Sequence, residues 1–149
     1  MICGIDSSFL VAAELVEHPD HVSTRAMVTE CVARGAQFAL APQGLAEFMH
    51  VATDTRRFAN PPTMGQAMNL AERWWTAREV MTIFPANTAV TQFLNWMHAH
   101  QLGRKRILDT LLAATYLQAG ATSLLTLNAR DFAVLGCFQC LSTVSDLKS

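Results

Sequence analysis

ICGIDSSFLV, residues 2–11, is the stretch on which the fold turns. Its first four residues are a short apolar run that reads as a strand, and Asp6 closes it. Ser7 or Ser8 can then cap a helix that runs through Phe9, Leu10, Ala13 and Val16 and stops at Pro19. A strand, an acid and a helix in immediate succession open a βα unit with a carboxylate at the strand's end. That carboxylate sits among apolar neighbours, where a charge is costly unless it is paired or binds a cation.

The same alternation continues down the chain. A helix is expected over 22–34, with Gly35 past its end. A strand over 38–41 leads into a helix over 45–52. Thr63 can cap a helix through Trp75, and a strand over 80–84 is stopped by Pro85. Helices over 88–100 and 106–118 precede a strand over 123–127. A short helix over 132–135 and a last strand over 138–142 complete the pattern. Strands alternating with helices predict an α/β fold, a mainly parallel sheet of about five strands covered on both faces. No repeat or linker interrupts it, so residues 1–149 read as a single domain.

Composition sets further bounds. Hydrophobic residues make up 51% and charged residues 15% of the 149, which suits a doubly covered sheet or a sizeable buried interface. The net charge of -1 offers no bulk attraction to nucleic acid, so any such binding needs a local basic patch. Two stretches, 80–103 and 110–129, lack Asp, Glu, Lys and Arg. Polar residues interrupt both, so neither reads as a membrane span. The amino terminus has no basic region ahead of its apolar run, so no signal peptide is expected. Cys3, Cys31, Cys137 and Cys140 then read as reduced thiols of a cytoplasmic protein.

Three more acids share the setting of Asp6. Glu47 lies in APQGLAEFMH, Asp109 in RKRILDTLLAATYL, and Asp131 follows the strand-like run in SLLTLNARDF. In an open parallel sheet, ligands bind beyond the carboxyl ends of the strands. Asp6, Glu47, Asn128 and Asp131 all fall near such ends, and Asp109 lies early in the helix that leads to the fourth strand. Carboxylates without a matching His or Cys set suit a hard cation, Mg²⁺ or Mn²⁺. Each acid also has a plainer reading. Asp6 and Asp131 could cap helices, and Glu47 and Asp109 could complement helix dipoles.

Taken in order, Asp6-Ser7-Ser8, Glu47, Asp109-Thr110-Leu111-Leu112-Ala113-Ala114 and Thr126-Leu127-Asn128-Ala129-Arg130-Asp131-Phe132 resemble the PIN-domain nucleases, especially the VapC-type toxins of toxin–antitoxin pairs. The resemblance spans nearly the whole chain. It implies an α/β/α sandwich and a metal-dependent endoribonuclease that leaves a 5′-phosphate and a 3′-hydroxyl. It also implies dimerisation and a cognate antitoxin that blocks the site. Asp6, Glu47 and Asp109 match the family's most regular acids, Ser7 its small polar residue beside the first acid, and Thr126 the hydroxyl residue of its last motif. Many relatives have Asn where Ser8 stands here. Asp6 and Asp109 would bind the principal metal. Glu47 would ligate it, hold its water or act as base. The fourth position is read as Asp131 with Asn128 assisting.

Basic residues flank these acids. Arg104-Lys105-Arg106 precedes Asp109, and Arg130 adjoins Asp131. With Arg56-Arg57 they could grip the phosphates of single-stranded or loop RNA, or an acidic antitoxin segment. Cys137 and Cys140 form a lone C-x-x-C, whose thiols would point to opposite faces of a strand and lack a second ligand pair for zinc. His98 and His100 read as surface residues, and the three tryptophans as core or interface. The rival reading is a non-catalytic PIN-like module that binds an antitoxin or RNA without cutting.

Overall fold

Side-chain alternation along the first strand sets the layering of the molecule, seen in a computed structural model that describes residues 1–148. In β1 (Ile2–Ile5), Cys3 and Ile5 point into one apolar cluster while Ile2 packs against another, as successive strand residues must. β2 (Gln37–Leu40) repeats this, with Phe38 and Leu40 on one side and Ala39 on the other. The first cluster is covered by α1 (Ser7–Glu14), α2 (His21–Ala33), α3 (Pro42–Ala52) and α4 (Met64–Trp75). The second is covered by α5 (Asn87–Ala99), α6 (Ile107–Gln118) and α7 (Ala129–Ala133). The result is the expected three-layer α/β/α sandwich.

β3 (Val80–Thr82), β4 (Ser123–Leu125) and β5 (Gln139–Leu141) complete a sheet of order β3-β2-β1-β4-β5 in which every pairing is parallel. The chain steps outward from β1 to β3, then returns across the sheet to β4. Crossovers of one hand put α1–α4 on one face during the outward steps and α5–α7 on the other after the return. β1 and β4 are therefore neighbours whose following segments leave in opposite directions, and a crevice opens at their carboxyl ends.

Several boundaries differ from the sequence expectation. α3 starts at Pro42 rather than residue 45, because proline at the first helical position has its φ pre-set and loses no helical bond. α1 stops at Glu14, two residues short of Val16. Glu14 is held there by the Trp74 indole N–H, which donates to its carboxylate at 2.6 Å. β4 ends at Leu125 instead of continuing to 127, since the Ser8 hydroxyl takes the Leu127 N–H at 3.1 Å and the Thr126 hydroxyl takes the Asn128 N–H at 2.9 Å. The short helix α7 covers Ala129–Ala133 rather than 132–135, so Asp131 lies within it and not ahead of it. Thr63 caps α4 as expected, in a reciprocal box with Gln66. Cys137 lies before β5 rather than on it, so the strand alternation does not apply to the C-x-x-C, and both thiols pack against the α5–α7 cluster. No helix is long and apolar enough to cross a membrane among the described residues.

Candidate active site

Asp6 stands where β1 gives way to α1, and it is 3% exposed. Its position is that of a helix cap, yet its carboxylate makes no capping hydrogen bond. It is held by hydroxyls instead. Ser8 Oγ donates to Asp6 Oδ2 at 2.7 Å, and Thr126 Oγ1 donates to the same oxygen at 2.8 Å. Thr126 lies just beyond β4, so the two central strands meet through this carboxylate. Burial pushes the Asp6 carboxyl above its ordinary value, the two hydroxyls oppose the rise, and the charge of Glu47 adds to it.

Glu47 comes from the second turn of α3, past the first turn in which an acid complements the dipole. Asp109 is in the first turn of α6, so the dipole does favour its charge. Its surroundings outweigh that help. Burial, then the charges of Asp6, Glu47 and Asp131, push its pKa up to about 7, with Arg106 pulling the other way. Those three carboxylates therefore lie near enough to Asp109 to act on its charge. Asp6, Glu47 and Asp109 line a single cavity of about 210 Å³ together with Ser7, Ser8, Val51, Arg57 and Asn128.

Among the described residues, none of Asp6, Glu47 and Asp109 has an ion-pair partner. Nor is any group of three His, Cys, Asp or Glu side chains there gathered closely enough to hold a metal ion. The three acids instead line one open cavity. Their oxygen-only donors suit a hard cation that keeps part of its hydration shell, as Mg²⁺ does.

The remaining sequence candidates fall into two groups. Asn128, just ahead of α7, lines the cavity, whereas Asp131 stands beside it with its carboxylate paired to the Arg106 guanidinium. Ser7 is buried at the start of α1 and also lines the cavity. Arg104, Lys105 and Arg106 form a one-turn 3-10 helix ahead of α6. Arg104, Lys105 and Arg130 are exposed and make no ion pair among the described residues. Two roles were not legible in the local pattern. Ser8 is the residue that bonds both Asp6 and the backbone after β4. Its two-residue spacing from an acid was the available signal. Arg57, expected with Arg56 to grip phosphate, does line the cavity from the α3–α4 loop and is held by Asp54 at 3.6 Å. Glu17 fixes that loop by accepting the N–H groups of Ala59 and Asn60, each at 3.0 Å, a contact no local spacing announces.

No family model and no curated protein matches the sequence. Solved structures do. The sarcin–ricin-loop-cleaving toxin VapC20 of Mycobacterium tuberculosis superposes with a TM-score of 0.66 at 16% identity, over 89% of this chain and 94% of that one. VapBC-1 of nontypeable Haemophilus influenzae gives 0.66 at 17%, over 95% and 98%. VapBC2 of Rickettsia felis, bound to a DNA fragment from its promoter, gives 0.66 at 18%, again over 95% and 98%. The architecture is therefore PIN-like. Within that class, the chain has the fold of the VapC toxins along nearly its whole length.

Proposed function

We propose that the protein is a metal-dependent endoribonuclease, the VapC-type toxin of a toxin–antitoxin pair. One observation carries the reading. Asp6, Glu47 and Asp109 come from three distant segments, carry no cationic partner among the described residues, and line one cavity at the carboxyl end of a parallel sheet. Asp6, Asp109 and Glu47 would hold Mg²⁺ or Mn²⁺, whose chemistry in such a site is to neutralise phosphate charge and activate water for in-line attack. Asn128, which lines the cavity, would assist, with Asp131 supplying charge nearby. Ser8 and Thr126 keep the Asp6 carboxylate in a single orientation. Arg104, Lys105, Arg106 and Arg130 bind the flanking phosphates, Arg57 meets them from the cavity wall, Ser7 on that wall faces the substrate, and Thr126 supports it from behind Asp6. A loop or single strand is the favoured substrate, because an unpaired backbone can enter so small a cavity. The loop-cleaving toxin VapC20 shares the fold, which supports the same class here.

The partner reading rests on surface character. An apolar groove between α3 and α4, lined by Leu45, Met49, Met68 and Trp75, offers an apolar antitoxin segment a seat. The VapBC neighbours support such a partner. Phe84, Val90 and Leu94 are exposed on a stretch without charged residues, which suits a homodimer contact.

The test is cleavage of a loop-containing RNA with and without Mg²⁺ by wild type, Asp6→Asn and Asp109→Asn. Asn keeps the shape of the side chain and removes its charge. Each variant should fold and lose more than about a hundredfold in rate, beyond what loss of a supporting residue costs. RNA bound by wild type without cleavage would favour the non-catalytic module, and wild-type rates in both variants would remove these acids from the site.

A further inference from the structure

Tyr116 heads the large side chains that are completely buried, and the proposed chemistry does not use it. It lies on α6 two turns after Asp109, on the same face of the helix, roughly 10 Å along the axis. Its hydroxyl donates to the Ile5 carbonyl at 2.8 Å and accepts the Ala41 N–H at 3.3 Å. The β1–β2 register makes that position unusual. Earlier in the ladder, the Gln37 N–H donates directly to the Met1 carbonyl at 3.0 Å. The equivalent rung four residues further along both strands would join the Ala41 N–H to the Ile5 carbonyl. No direct bond forms there, and the phenol hydroxyl occupies the rung.

Gly4 clears the way for it. A Cβ on Gly4 would lie 2.4 Å from Tyr116 Cδ2, whereas one on Gly44 would lie 3.4 Å from the hydroxyl, an ordinary contact. The residues that follow the opened rung belong to the site. Asp6 comes directly after Ile5, and Ala41 leads straight into α3, which carries Glu47.

We propose that Tyr116 is a positioning residue: its hydroxyl wedges β1 and β2 apart at their carboxyl ends, setting the separation of Asp6 and Glu47 while tying the helix of Asp109 to both strands. The inference rests on the metal-dependent reading of the site. Removing the hydroxyl lets the rung close, so the acids draw into a spacing that no longer fits the cation.

The experiment uses isotope-labelled full-length protein, wild type and Tyr116→Phe. The scalar coupling across a hydrogen bond from Ala41 N to the Ile5 carbonyl carbon should be absent in wild type and present in the variant. In the same samples, Mg²⁺ titration should show affinity reduced by about tenfold or more, the scale for losing a residue that orients ligands. The Mg²⁺ concentration for half-maximal RNA cleavage should rise by the same factor, with KM for RNA at saturating Mg²⁺ unchanged. Gly44→Ala, which keeps the hydroxyl, should bind Mg²⁺ as wild type does. A coupling already present in wild type overturns the wedge. A coupling that appears in the variant with unchanged Mg²⁺ affinity overturns the positioning role and leaves a packing tyrosine. Wild type that neither binds Mg²⁺ nor cuts RNA overturns the ribonuclease reading and the positioning role with it, and the coupling then still reports whether the hydroxyl separates the strands.

Discussion

Asp109 shows how one residue registers the whole acid cluster. Its folded pKa of about 7 stands above the ordinary 3.8, so between those values the folded state binds more protons than the unfolded chain. Stability must then fall as pH rises through that window, the reverse of a carboxylate held by a cation. Thermal melts of the metal-free protein should show wild type losing ground to Asp109→Asn from pH 3.8 to about 7. Parallel pH profiles for the two would contradict the electrostatic account. Arg106 acts on the same balance from outside. It pairs with Asp131 and opposes the rise at Asp109. Arg106→Gln should therefore tighten Mg²⁺ binding and weaken RNA binding, whereas Asp131→Asn should weaken Mg²⁺ binding. Measuring the Mg²⁺ half-saturation and the RNA KM of both variants checks this, and a shift of both variants in one direction would discard the linkage.

At the scale of the element, side chains near the strand ends decide where regular structure stops. β4 ends early because Ser8 and Thr126 take the backbone N–H groups that follow it, and the same hydroxyls hold Asp6. The segment that ends the strand thus builds the site. The 3-10 turn before α6 serves a different purpose. It presents Arg104 and Lys105 to solvent without partners among the described residues, at a helix amino end where cations are disfavoured. An external phosphate would offset that cost. An Arg104→Ala, Lys105→Ala double variant should lower the slope of log affinity against log salt by about 0.7 for each phosphate no longer neutralised. An unchanged slope would assign the turn to another task.

For the whole molecule, Phe84 and Leu94, 61% and 51% exposed on a stretch free of charged residues, offer an apolar contact to a second copy. Light scattering at micromolar concentration should report a dimer, and Leu94→Glu should shift it to monomer with the fold retained. A wild-type monomer would refute the contact. Much of this architecture was legible in the residues alone. Alternating strand and helix signals are local, since periodicity, caps and proline positions act within a turn or two, and they yielded the parallel α/β sheet. Acids in apolar settings are also local signals, and Asp6, Glu47 and Asp109 do share a cavity. The tertiary structure alone decided which partner each charge found. The hydroxyl on Asp6 comes from 120 residues away, the wedge of Tyr116 reaches Ile5 across 111, and Arg106 meets Asp131 across 25. Such contacts depend on where packed layers bring side chains together. That is a property of the assembled sheet and helices, and no spacing along the chain encodes it.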